Sequence, residues 1–97
     1  MGIDKKTFGP ILVISLTEFH KRLGTADSAL QAGDFSGLAL NAHTMKSTAA
    51  TIGAAHCQKL AIALERAAID RRADEARTLL DRLQGALCAV RAAVERP

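Results

Sequence analysis

The chain has no tryptophan and no tyrosine, and only three phenylalanines among its 97 residues. A core built on large aromatic rings is excluded, so Leu, Ile, Val and a great deal of Ala must supply it from the 48% of residues that are hydrophobic. Ala and Leu are strong helix formers, and small side chains let helices approach closely. Cysteine is as scarce. Cys57 and Cys88 have no CxxC spacing, which argues against a zinc site or a disulfide scaffold, and they read as buried free thiols in a reducing cytoplasm. No apolar run is long enough to span a bilayer: GPILVISL gives way at once to Thr17, Glu18 and His20, and it lacks a cleavage site, so a cytosolic chain is expected. Charge of one sign is nowhere concentrated. The net charge is +3 and the pI about 9.2, but Asp and Glu interleave with the basic residues. That pattern lacks the basic stripe of a nucleic-acid binder and suits an acidic protein partner at least as well.

Chemical machinery is missing too. No Gly-rich phosphate loop precedes a helix, no inward-facing carboxylate cluster offers a Mg²⁺ site, and no two histidines stand four apart as helical metal ligands do. The expectation is no cofactor and no metal held by this chain.

What is present is helical periodicity. The length suits one domain, long enough to withdraw roughly 60 to 70% of the unfolded surface from water but too short for two cores. Residues 1–9 read as a polar lead with one apolar anchor, Phe8, and Gly9-Pro10 reads as a break before the first helix. Leu12, Leu16, Phe19, Leu23, Ala26 and Leu30 then recur at spacings of four and three up to Gly33. Asp34 is placed to cap a second helix carrying Leu38, Ala42, Met45, Ala49 and Ile52, which Gly53 ends. A third stripe is Cys57, Leu60, Leu64 and Ala67. A fourth is Ala76, Leu80, Leu83, Leu87, Val90 and Val94, with Gly85 on its polar side. Four amphipathic helices on short connections must pack as antiparallel neighbours. The predicted fold is all-α, an up-down four-helix bundle over residues 10–97, with room for a short extra helical turn before Pro10.

Within the second helix one residue is out of place. At ~100° per residue, His43 lies some 140° from the centre of the core stripe, so its ring should face water. Ala39, Leu40, Lys46, Ser47 and Ala50 share that outer face, and three of these are small, leaving the ring open to a partner. Lys46 at i+3 brings an ammonium within reach of anything attached to the ring. A cation there is a poor companion for a general base but a good one for a nucleophile that captures an anionic phosphoryl group. The metal and the leaving group would have to come from the partner. His20 and His56 lack this setting and read as structural or incidental, and the Arg-rich segment 66–77, interrupted by Asp70, Asp74 and Glu75, reads as a solvated turn and helix start.

The run AHTMK, then TIGA, then LAIALE over residues 42–65 resembles the histidine-containing phosphotransfer family, whose signature is a His followed by x-x-Lys-Gly, a later Gly and a leucine-rich next helix ending in Leu-Glu. More loosely, ALQAGDFSGLALNAHT is similar to the family's Leu, Gly-Asp and apolar residue ahead of the His, so the likeness covers most of residues 10–70. The resemblance implies a phosphoryl carrier, not a free-standing enzyme. His43 would accept a phosphoryl group from the aspartate of one receiver domain and pass it to another, with Lys46 as the stabilising cation and Mg²⁺ supplied by the receiver. The implied partners are receiver domains of response regulators or of a hybrid sensor histidine kinase, and neither nucleic acid nor membrane. Ala39, Leu40, Ser47 and Ala50 would form the docking patch. Family members often fix the ring with a polar side chain from the following helix, and here either Glu65 or Gln58 could do so, with Glu65 preferred. Two positions depart from the pattern: Met45 replaces the usual leucine, a volume-conserving change, and Ser47 stands where glycine is common, able to crowd a partner or to bond the phosphoryl group. The alternative reading is a non-catalytic helical interaction or dimerisation module that uses the same face.

Overall fold

The computed structural model describes the backbone of residues 5–95 and the side chains of residues 12–93. It contains four α-helices, α1 (Lys5–Gln31), α2 (Phe35–Thr51), α3 (Ala55–Ile69) and α4 (Ala73–Glu95). Each packs against its neighbour in sequence, and α1 closes the square against α4, within an envelope of 44 × 19 × 18 Å. The anticipated core stripes are the observed ones. Leu16, Phe19, Leu23 and Ala26 of α1, Leu38, Ala42, Met45 and Ala49 of α2, Cys57, Leu60, Leu64 and Ala67 of α3, and Ala76, Leu80, Leu83 and Leu87 of α4 are all buried. Leu12, Leu30, Ile52 and Val90 pack against this core half-buried, while Val94 lies outside the described side chains. Ala61, Ala68 and Leu79 are buried as well, widening the stripes of α3 and α4 beyond a strict four-three seam.

Two expectations are corrected. The helix does not start at Pro10: α1 begins at Lys5 and runs through Gly9 and Pro10. The one bond that Pro10 cannot donate is to the carbonyl of residue 6, in the first turn, where a carbonyl can turn outward to solvent. There is thus no separate lead over residues 5–9. Cys88 is also not buried. Cys57 is, and burial pushes its thiol pKa up, but Cys88 follows Leu87 onto the outer face of α4.

All three connections are the same turn. Gly33 and Gly53 have φ of +73° and +72°, and Arg71 occupies the equivalent place at φ 55°. In each, the amide of this residue bonds the carbonyl three back and the next amide bonds the carbonyl five back: Gly33 to Leu30 and Asp34 to Ala29, Gly53 to Ala50 and Ala54 to Ala49, Arg71 to Ala68 and Arg72 to Ala67. This is the Schellman closure, which satisfies the last carbonyls of the helix and turns the chain through one left-handed residue. Asp34 then caps α2, accepting from the Gly37 amide at 2.9 Å as expected of it. A Cβ on Gly37 would sit 2.3 Å from the Asp34 carboxylate, so any larger residue there would make the cap shift.

Polar contacts tie α1 to its neighbours. Arg22 pairs with Glu18 at 2.8 Å and reaches Asn41, the one buried polar residue among those described, whose amide in turn donates to the Gly37 carbonyl. Arg77 of α4 pairs with Asp27 of α1, which holds the guanidinium pKa above its ordinary value. α2 and α3 are the pair on which the site is built.

Candidate functional site

His43 is the ninth residue of the seventeen-residue helix α2, clear of both ends. Its backbone is held by regular helical bonds, while its side chain stands 59% exposed. The buried residues Ala42 and Met45 turn the opposite side of the helix into the core. The unusual feature lies across the groove on α3, where Glu65 serves two partners with one carboxylate: Oε2 is 3.0 Å from His43 Nδ1, and Oε1 accepts from Lys46 Nζ at 3.0 Å. Glu65 is mostly covered, with 22% of its side chain exposed, and Lys46 is 29% exposed. The hydrogen bond from Lys46, aided by that from His43 and by the Lys46 charge, holds the Glu65 carboxyl below the usual carboxylate range against the opposing effect of burial.

An ionised carboxylate can only accept, so the nitrogen facing it must carry the proton. Nδ1–H therefore donates to Glu65, which fixes the tautomer and the rotation of the ring. Nε2 is left with its lone pair and has no hydrogen-bond partner among the described residues. The site is thus an exposed imidazole with an unprotonated Nε2, and an ammonium one helical turn along the same helix.

The other anticipated residues fall into two groups. From His43, Leu40 and Ser47 lie to one side of the helix and are exposed, Leu40 at 66%, and Ala50 is exposed as well. Ala39 and Lys46 lie on the side that leans toward α3 and are half-covered, so Ala39 is partly packed against the core and is not a free part of the patch. The Ser47 hydroxyl bonds back to the His43 carbonyl at 3.4 Å, one of four hydroxyls on α2, with those of Thr44, Thr48 and Thr51, that bond the carbonyl four residues earlier. Gln58 lies half-buried two turns before Glu65 and makes no side-chain hydrogen bond to the ring. His20 and His56 are exposed and away from any such cluster. No group of three His, Cys, Asp or Glu side chains among the described residues could hold a metal ion, and no described helix is long and apolar enough to cross a membrane.

Sequence reasoning missed the pairing of Lys46 with Glu65. The spacing of nineteen residues carries no periodic signal, although an α2–α3 hairpin hinged at Gly53 brings positions whose numbers sum to about 108 face to face, as 43 and 65 do. It also missed two isoleucines, Ile62 and Ile69, which stand 47% and 60% exposed three residues before and four after Glu65 on the same stripe of α3.

No curated protein and no solved structure matches the chain. Residues 10–93 match the family model described as the Hpt domain, which spans the described bundle almost from end to end and includes the α2–α3 groove. With a helical bundle, an exposed histidine and that match together, the chain belongs to the Hpt domain family, whose members are phosphocarrier modules of histidine phosphotransfer in phosphorelays and interact with receiver domains.

Proposed function

We propose that this Hpt domain is a relay intermediate that takes a phosphoryl group from the aspartate of one receiver domain onto His43 and delivers it to another. The observation that carries the reading is the Nδ1–H bond to Glu65, because it leaves Nε2 as the free nucleophile. The Nε2 lone pair attacks phosphorus as the acyl phosphate P–O bond breaks, and the bonding pair leaves with the aspartate carboxylate. The ring then carries the phosphoryl group on Nε2 and keeps its proton on Nδ1, and the positive charge that results is balanced by Glu65. Onward transfer is the reverse step to a second aspartate. Lys46, one turn from the ring, is close enough to exchange Glu65 for a phosphoryl oxygen and to neutralise charge as it arrives. Chemistry of this kind is mostly positioning and electrostatics, and Mg²⁺ belongs to the receiver in this scheme. Leu40, Ser47 and Ala50 form the surface that meets it, with Ala39 at its edge.

The test is incubation with a phosphorylated receiver domain and Mg²⁺, which is expected to give phosphate on the protein that is acid-labile and alkali-stable. Equal labelling of His43→Gln would overturn the assignment. If the face served only as an interaction module, no donor would leave a label, and His43→Ala and Lys46→Ala would change affinity alone.

A further inference from the structure

A shallow cleft of about 180 Å³ opens between the start of α2 and the end of α3, floored by Phe35, Ala39 and Ala68 and rimmed by Ser36, Ile69 and Arg71. Ala39 precedes His43 by one helical turn, so the cleft adjoins the phosphoacceptor on the same α2–α3 face. Its rim has two unusual residues. Ile69 is 60% exposed and leaves apolar surface open to water beside the floor of Phe35, Ala39 and Ala68. Arg71 is held in the left-handed backbone region at φ 55°, a conformation that only the Schellman closure at the end of α3 imposes.

The charges around Arg71 are otherwise accounted for. Arg66 pairs with Asp70, Arg72 with Glu75, and Arg77 with Asp27 and Asp81. Arg71 has no carboxylate partner among the described residues. A cation without a counter-charge, set beside the exposed side chain of Ile69 at the edge of a cleft whose lining is part polar and part apolar, is the complement of an apolar side chain next to a carboxylate. Electrostatic matching of this kind chiefly sets which partner binds and how fast it arrives.

We infer that this cleft is a specificity subsite of the phosphotransfer face, which receives an apolar side chain of the docked receiver domain while Arg71 pairs with an adjacent Asp or Glu of that receiver. The inference rests on the phosphotransfer reading and adds to it the residues that choose among receivers. The chemical step needs His43, Lys46 and Glu65 alone, so damage to the cleft should raise the receiver concentration needed for transfer without touching reactivity at Nε2.

Two donors separate these effects. Phosphoramidate, a small molecule, phosphorylates an accessible histidine without docking, and it should label Arg71→Glu and Ile69→Asp within twofold of the wild type. A panel of purified receiver domains with Mg²⁺ then serves as acceptors. For the receiver that discharges wild-type protein fastest, both variants should lose at least tenfold in the second-order rate, mostly through KM, while Arg71→Lys keeps most of it. Reversal of one receiver carboxylate to lysine should restore Arg71→Glu. Arg71→Gly, which relieves the backbone, provides a folded control with the charge removed and should lose transfer to that receiver as well. Transfer by Arg71→Glu and Ile69→Asp within twofold of wild type, or no receiver carboxylate whose reversal restores Arg71→Glu, would overturn the subsite and leave the role of His43 standing. Failure of phosphoramidate to label His43 in the wild type, or of any receiver to discharge it, would remove both.

Discussion

The carboxylate of Glu65 holds the ring proton of His43 with one oxygen and the ammonium of Lys46 with the other, so its replacement probes two contacts at once. Glu65→Gln can still accept from Nδ1–H but loses the charge that restrains Lys46. Because the folded state depresses the Glu65 pKa, its contribution to stability is present above the unfolded carboxylate value near 4.3 and is lost as pH falls through the lower folded value. Urea denaturation should therefore find Glu65→Gln less stable than wild type at pH 7, by on the order of 0.5 kcal/mol for a partly exposed pair, with the difference shrinking as the pH falls below the unfolded carboxylate value. Lys46→Ala should leave the fold intact and slow phosphotransfer about tenfold to a hundredfold, since one preplaced cation or donor is typically worth that much or more at a developing charge; single-turnover transfer from a labelled receiver measures it. The exposure of His43 beside Lys46 was legible in the sequence because it depended on an offset of three residues along one helix and on which face that helix buries. The bridge made by Glu65 was only half legible: the residue could be nominated as a ring partner, but its second bond depends on how two helices are registered.

At the scale of the helix, the connections make quantitative claims. Arg71 does at φ 55° what Gly33 and Gly53 do without a Cβ. Arg71→Gly should stabilise the protein by about 0.5 to 1 kcal/mol, and Gly33→Ala or Gly53→Ala should destabilise it by about 1 to 2 kcal/mol. Gly24 and Gly85 differ, since each stands in a helix interior with open space where a Cβ would go. Alanine at either should gain up to about 1 kcal/mol, whereas Gly37→Ala should gain less because its Cβ would displace the capping carboxylate of Asp34. Denaturant midpoints across these six variants check the set. The first two turns and the Asp34 cap were readable because Gly and Asp are chosen for the conformations they allow. The third was not, since no composition signal marks an arginine as left-handed. Pro10 misled for the converse reason: a proline in the second turn of a helix looks like a boundary, yet it forfeits only a bond to the terminal turn.

Over the whole molecule, the core is continuous through all four helices and aliphatic apart from the Phe19 ring, so the bundle should unfold in one cooperative step, with circular dichroism and calorimetry giving coincident transitions. Among the described residues Arg22, Arg66, Arg72 and Arg77 are paired with carboxylates, and acidic residues interleave with the basic ones along the sequence. Gel shifts with duplex DNA at 100 mM salt should accordingly show no complex, because binding to phosphate backbones requires clustered, uncommitted cations. The bundle architecture was recoverable from periodicity alone, since alternating runs of buried and exposed positions fix which face each helix turns inward. The α2–α3 face as a surface was not, because exposed isoleucines on α3 have no meaning until the neighbouring helix is set beside them.

His43 rides near the midpoint of a seventeen-residue rod that is clamped by a capped start, a closed end and an aliphatic underside. Such a mounting removes any need for a hinge or a folding loop at the reactive atom, so charging and discharging the ring can proceed with the scaffold standing still. The freezing of motion that a productive encounter demands then falls on the visitor. In the proposed relay, different visitors would use one unchanged handle in turn, distinguished only by how each seats itself around it.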